Sequence, residues 1–101
     1  MVSYAVKVEI DASIAEAWYT WMVHTHIPEV LQTGWFRGHR LGEIIEPPPA
    51  PGKRVFLVLY EAADLEHLRV YLEREAPRLR AAYPAEFQGR FQAERWIWHM
   101  K

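Results

Sequence analysis

Cysteine and asparagine are both missing from this 101-residue chain. Without a thiol, disulfides, thiolate catalysis and cysteine-ligated metal centres are excluded. Long apolar runs are missing too, and no stretch approaches the ~20 residues of a membrane span. The opening residues, MVSYAVKVEI, alternate and carry Lys7 and Glu9, so they lack the apolar core of a signal peptide. A cytoplasmic protein is the expectation. Neither sign of charge is in surplus: 12 basic residues face 13 acidic ones, for a net charge of −1. That balance offers no electrostatic ground for nucleic acid or an anionic membrane as partner. Lysine is scarce, with three against nine arginines. Together with the missing asparagine and a proline-rich loop this fits a thermophile, although a GC-rich genome produces the same arginine bias. No nucleophile elbow, phosphate loop, H-E-x-x-H helix or Rossmann glycine pattern occurs, and no cofactor is expected.

What is present reads as a single soluble globular domain over residues 1–101, half apolar and one quarter charged. Residues 3–10 alternate, with Tyr4, Val6, Val8 and Ile10 on one face and Ala5, Lys7 and Glu9 on the other, which predicts a half-buried strand. Ser13 and Glu16 form an S-x-x-E capping box that opens a helix striped by Ile14, Trp18, Trp21 and Met22. Pro28 disfavours helical geometry at Ile27 and can start a fresh short turn, which Gly34 closes. Residues 35–45 read as a second strand in which Gly38 and Gly42 suggest a bulge or close backbone approach. The stiff EPPPAPG loop follows at 46–52. A third strand over 54–62 is apolar on both faces, with Val55, Leu57 and Leu59 opposite Phe56, Val58 and Tyr60. Asp64 caps a second long helix carrying Leu65, Leu68, Tyr71 and Leu72. Pro77 restarts it, and Leu79, Ala82, Tyr83 and Phe87 continue its apolar side. Residues 90–100 form the last strand, with Trp96 and Trp98 on one face.

The order βαββαβ, with right-handed crossovers, places both helices on one face of a four-stranded antiparallel sheet in the order 4-1-3-2. This α+β arrangement is the ferredoxin-like plait. Its uncovered face would be an apolar patch of the kind that marks an interface, so a two-fold homodimer through the sheet faces is expected. The side bearing Phe56, Val58 and Tyr60, with Trp96 and Trp98, is the expected interface.

Two blocks carry a resemblance over essentially the full length. The pattern W-x-x-W-M-x-x-x-H-I-P-E-V-L-x-T-G-x-F at Trp18–Phe36 is one. The run Y-L-E-R-E-A-P-R-L-R at Tyr71–Arg80, with the later F-Q-G-R-F, is the other. They resemble a bacterial family of roughly hundred-residue domains of unknown function. That family is similar to the dimeric α/β-barrel superfamily, which includes antibiotic-biosynthesis monooxygenases, muconolactone isomerases and stress-responsive barrel proteins. The resemblance implies the plait and the dimer, but no activity.

Several residues are candidates for chemistry, each with a plainer role beside it. His24 and His26 form H-x-H, but about 100° per helical residue puts them on nearly opposite faces, so no shared metal site is expected. His26 stands where the helix ends. There it either bonds orphan carbonyls or faces a ligand as acid or base. Arg37, His39 and Glu43 share strand parity and, with Lys7 and Glu9, either line a polar cavity inside the dimer or guard an edge strand against aggregation. Tyr60 either orients a ligand or fills the core. Trp96 and Trp98 either stack on a planar ligand or fill the dimer seam. Three functions follow. The first is a cofactor-free binder or enzyme for a small apolar or aromatic molecule, in a cleft between sheet and helices. The second is a non-catalytic structural or regulatory dimerisation module, and the third, resting on the superfamily alone, is haem binding.

Overall fold

Alternation in the first ten residues becomes a strand, β1, at Val2–Asp11. The computed structural model describes residues 1–101. The chain leaves β1 through a 3-10 turn at Ala12–Ile14 and enters α1, Ala15–Trp21. The expected capping box does not form. Ser13 Oγ accepts from Arg90 Nη2 at 2.9 Å and Glu16 Oε1 accepts from Arg54 Nη1 at 2.8 Å. Both side chains find a guanidinium across the end of the sheet, and a charge-assisted bond is stronger than the neutral cap it replaces.

The expected break at Ile27 is likewise absent. Residues Met22–His26 form a π-helical turn in which the Ile27 N–H donates to the Met22 carbonyl, and α2, Ile27–Gln32, continues from it with Pro28 in its first turn. Proline removes one donor and its ring crowds the carbonyl four residues back. One wide turn before it relieves that crowding without ending the helix. Gly34, at φ +84°, closes α2 in the left-handed conformation that suits glycine.

Strands β2 (Phe36–Glu43) and β3 (Lys53–Ala62) follow, then α3 (Leu65–Arg74), α4 (Ala76–Ala81), a 3-10 turn at Ala85–Phe87 and β4 (Phe91–His99). Asp64 caps α3 as expected, its carboxylate accepting from the His67 N–H at 2.8 Å. The sheet runs β2-β3-β1-β4, wholly antiparallel, with β1 and β3 at the centre. This is the ferredoxin-like α+β plait.

Register decides which side chains meet. Tyr4 opposes Tyr60, Val6 opposes Val58 and Val8 opposes Phe56, so all six point to one face. That face carries the helices, and Trp18, Phe56, Val58, Leu68, Leu79 and Phe87 are fully buried there in one core of 19 residues. Each such large apolar side chain contributes about 1.5–3 kcal/mol on burial. Phe56, Val58 and Tyr60 therefore belong to the chain's own core, and the interface expected from them is corrected. Their alternates, Leu57 and Leu59, share the helix-free face with Ala5, Lys7, Glu9, Trp96 and Trp98.

A second correction comes from β2. A bulge between Phe36 and Gly38 leaves Arg37 as the extra residue and resets the parity beyond it. His39 then opposes Tyr60 and Glu43 opposes Phe56, both on the helix side, while Arg40 opposes Leu59 on the open side. Gly38 fits its expected bulge. Gly42 has open space around it, so no close approach explains it.

Candidate functional site

Two hollows of different character lie on the two faces of the sheet. The larger, about 730 Å³, lies on the helix-free face. Its floor is Ala5, Val55, Leu57 and Leu59, and Trp96 and Trp98 stand beside it. The stiff loop folds over one end, bringing Pro47, Pro48 and Pro49 onto the wall. Lys7 and Glu9 are the charged residues of the central strand here, and Glu46 joins them from the loop. Trp96 is 47% exposed and Trp98 42%, a large apolar area left uncovered.

The smaller hollow lies in the cleft between sheet and helices. At about 30 Å³ it has room for a single water. Tyr4 and Tyr60 reach it from the sheet, Tyr71 and Arg80 from α3 and α4, and Tyr83 from the turn beyond. His26 completes the wall from the π-helical turn, 8% exposed. Its ring stacks on Trp21 at 4.9 Å between centroids and meets the Tyr83 ring edge-on at 5.0 Å. Nδ1 is buried with no hydrogen-bond partner.

This placement corrects the capping role. The wide turn rotates His26 inward instead of leaving it among the last carbonyls of a helix end. Burial drives its pKa from 6.5 down to about 4, so the ring is neutral at pH 7 and one nitrogen is free to accept a hydrogen bond. Burial also raises the phenols of Tyr60 and Tyr71 and pushes Tyr83 up to about 12. All three are proton donors throughout the physiological range. A neutral imidazole among protonated phenols can hold a polar molecule by hydrogen bonds. Residues at π turns recur at functional sites for a related reason, since the bulge presents a side chain that a regular helix would turn away.

The remaining sequence candidates do not join His26. His24 is exposed on the other side of its turn. Arg37 and His39 are exposed on the edge strand β2 and border neither hollow. Glu43 accepts a bidentate pair from Arg54, at 2.8 and 2.9 Å, and is held below the usual carboxylate range by it. It strengthens an ionic strap from β2 through β3 to Glu16 on α1. Tyr60 does face the cleft with His26. Sequence reasoning missed Arg80 and Arg95, which border the same cavity. The charged run around Arg80 reads as a solvated helix face, and only the tertiary fold sets this exposed member of it at the rim of the cavity, where it bonds the Tyr4 hydroxyl. A haem, suggested by the superfamily alone, does not fit: the cavity beside His26 holds about one water, and no histidine lines the large hollow.

Comparison with known proteins agrees with this fold. The sequence profile of a family described as "Domain of unknown function (DUF4286)" matches residues 1–99. No functionally curated protein matches the chain. Among solved structures, HapK from Hahella chejuensis superposes with a TM-score of 0.72 at 13% identity, over 100% of this chain and 93% of that one. SnoaB, a cofactor-independent oxygenase from Streptomyces nogalater, gives 0.60 at 14% identity, over 99% and 92%. A dimeric ferredoxin-like protein from an uncultured marine organism gives 0.52 at 11% identity, over 99% and 97%. At these identities the likeness is one of fold.

Proposed function

We propose, for a chain that belongs to the DUF4286 family of domains of unknown function, a homodimer that binds a small molecule without a cofactor in the cleft between sheet and helices. His26 is its hydrogen-bond acceptor. The observation that carries this reading is the buried, neutral His26 ring with its unpartnered Nδ1 beside a cavity of phenols. Leaving a buried acceptor unpaired costs about 1–3 kcal/mol, so the arrangement is expensive unless something bonds to it. A cofactor-independent oxygenase on the same plait supports the reading by showing that this architecture can host chemistry without a bound helper.

The open face supports the homodimer. Four strands about 4.8 Å apart and nine residues long present roughly 600 Å² of flat surface per copy. With the proline loop added, this approaches the ~800 Å² per partner of a stable complex. Lys7 and Glu9 lie near the middle of that face, and a two-fold axis lets each lysine meet the other copy's glutamate. The similar dimeric ferredoxin-like protein supports the same assembly. A dimerisation module without a ligand is the second reading, favoured by how nearly the cavity at His26 is closed.

A screen of single-ring aromatic fragments by thermal shift, repeated on His26→Gln at about pH 8, separates the two. The first reading expects fragments that stabilise the wild type and lose that effect in the variant, while the unliganded melting temperatures stay close. Hits that stabilise both proteins equally would remove His26 from the site.

A further inference from the structure

The cleft at His26 has a second chamber. A surface groove of about 250 Å³ runs between α4 and the edge strand β4, over Gln88, Gly89 and Phe91. It shares Arg80, Tyr83 and Arg95 with the inner cavity. Those three side chains therefore stand between the small inner cavity and the open groove.

Charge between the two hollows is one-sided. No Asp or Glu lines either hollow. Neither Arg80 nor Arg95 is in an ion pair, as is true of most arginines of the chain, but these two border the same groove. Arg80 Nη2 donates to the Tyr4 hydroxyl at 3.1 Å. Two guanidiniums facing one groove without a carboxylate form a ready site for an anion, and their planar forks suit a carboxylate best.

The Tyr83 backbone is fixed, its N–H donating to the Arg80 carbonyl and its carbonyl accepting from Gln88 Nε2, both at 3.2 Å, but its hydroxyl is weakly held. Its hydroxyl meets only the Met22 sulfur, at 3.9 Å, a poor acceptor. Its ring packs on Trp21 at 4.6 Å, on His26 at 5.0 Å and on Phe91 at 5.3 Å. The residue sits in the turn after α4, outside any helix or strand. Rotating it outward would merge the two chambers and leave an aromatic slot against Trp21 and His26. A space of that size is just below the range for drug-sized ligands, which limits the occupant to one ring.

We propose that Arg80 and Arg95 clamp the carboxylate of a small single-ring aromatic acid whose ring replaces that of Tyr83 against Trp21 and His26. The proposal rests on the reading of the His26 cleft as a binding site and adds to it the ligand class and the gate.

The test titrates the full chain with sodium salicylate and with salicyl alcohol, its neutral counterpart, following the His26 and Trp21 side-chain resonances. Wild type is expected to bind salicylate in the millimolar range or tighter, at least about ten-fold better than the alcohol, because the charge-assisted bonds are lost with the carboxylate. Arg80→Gln and Arg95→Gln, both at exposed positions, should each weaken salicylate about ten-fold while leaving the melting curve in place. Tyr83→Ala, which removes the gate, should retain binding. Equal affinity for acid and alcohol, unaffected by either arginine change, would overturn the clamp but leave the His26 cleft standing. Arginine-dependent binding with silent His26 and Trp21 resonances would overturn the ring position, and with it the cleft reading. No binding to either wild type or Tyr83→Ala would overturn the proposal outright.

Discussion

Acid should destabilise this protein through a single buried imidazole. His26 is neutral in the folded chain because burial lowers its pKa from 6.5 to about 4. In the unfolded chain it regains the ordinary value. As pH falls through 6.5 the unfolded chain takes up a proton that the folded chain refuses until about pH 4. Stability from this residue is thus fully present above 6.5 and is lost progressively down to about 4. The gap corresponds, at about 1.4 kcal/mol per pH unit, to roughly 3 kcal/mol. That is a large part of the 5–15 kcal/mol typical of a domain. The phenols of Tyr60, Tyr71 and Tyr83, which face the same cavity, are all raised by burial and so stay out of this window, and Tyr4, Arg80 and Arg95 are the other polar side chains that border it. Other acid-sensitive groups lie elsewhere. Asp11 is lowered by its bonds to Lys53 and Arg90, Glu43 by Arg54, and Asp64 by the His67 N–H and ring. They lose their contributions at lower pH in any variant. Urea unfolding of wild type and His26→Gln between about pH 8 and pH 4 therefore isolates the histidine. The stability difference between the two proteins should move by roughly 3 kcal/mol in favour of the variant as pH falls. His26→Leu gives a second non-titrating reference should glutamine pack badly. A difference constant within about 0.5 kcal/mol across the range would show that His26 is solvated, and the argument from burial would fail.

Two further outcomes follow from the packing. Trp18 is fully buried against Phe56 at 4.9 Å, so Trp18→Ala should cost about 3–5 kcal/mol by chemical denaturation, and a loss under about 1 kcal/mol would contradict its place in the core. Leu59→Lys, on the open face, should shift sedimentation from dimer toward monomer with little change in secondary structure. Phe56→Ala, one residue-parity away, should instead lower stability, and the reverse pattern would mean that the faces had been exchanged.

The strands, helices and their order were legible because each depends on short-range chemistry. Alternation marks β1, the aspartate at 64 marks the start of α3, and the paired crossovers leave one sheet order that keeps both helices on one side. The residues of the site were less legible. β3 is apolar on both sides, so composition could not say which side the helices cover. Register decided it by setting Tyr4 opposite Tyr60 and Val8 opposite Phe56, and a slip of one residue would have reversed every assignment. On β2 a single extra residue at Arg37 moved His39 and Glu43 to the helix side, away from Lys7 and Glu9. His26 stood out in the sequence for its place before a proline, but only the π-helical turn carried its ring inward. Arg80 and Arg95 gave no local sign at all. They lie fifteen residues apart, on a helix and on an edge strand, and only the tertiary fold brings both to the groove around Tyr83. Periodicity along the chain determines which elements form. Long-range register and packing determine which side chains meet, and the candidate chemistry of this protein depends on those meetings.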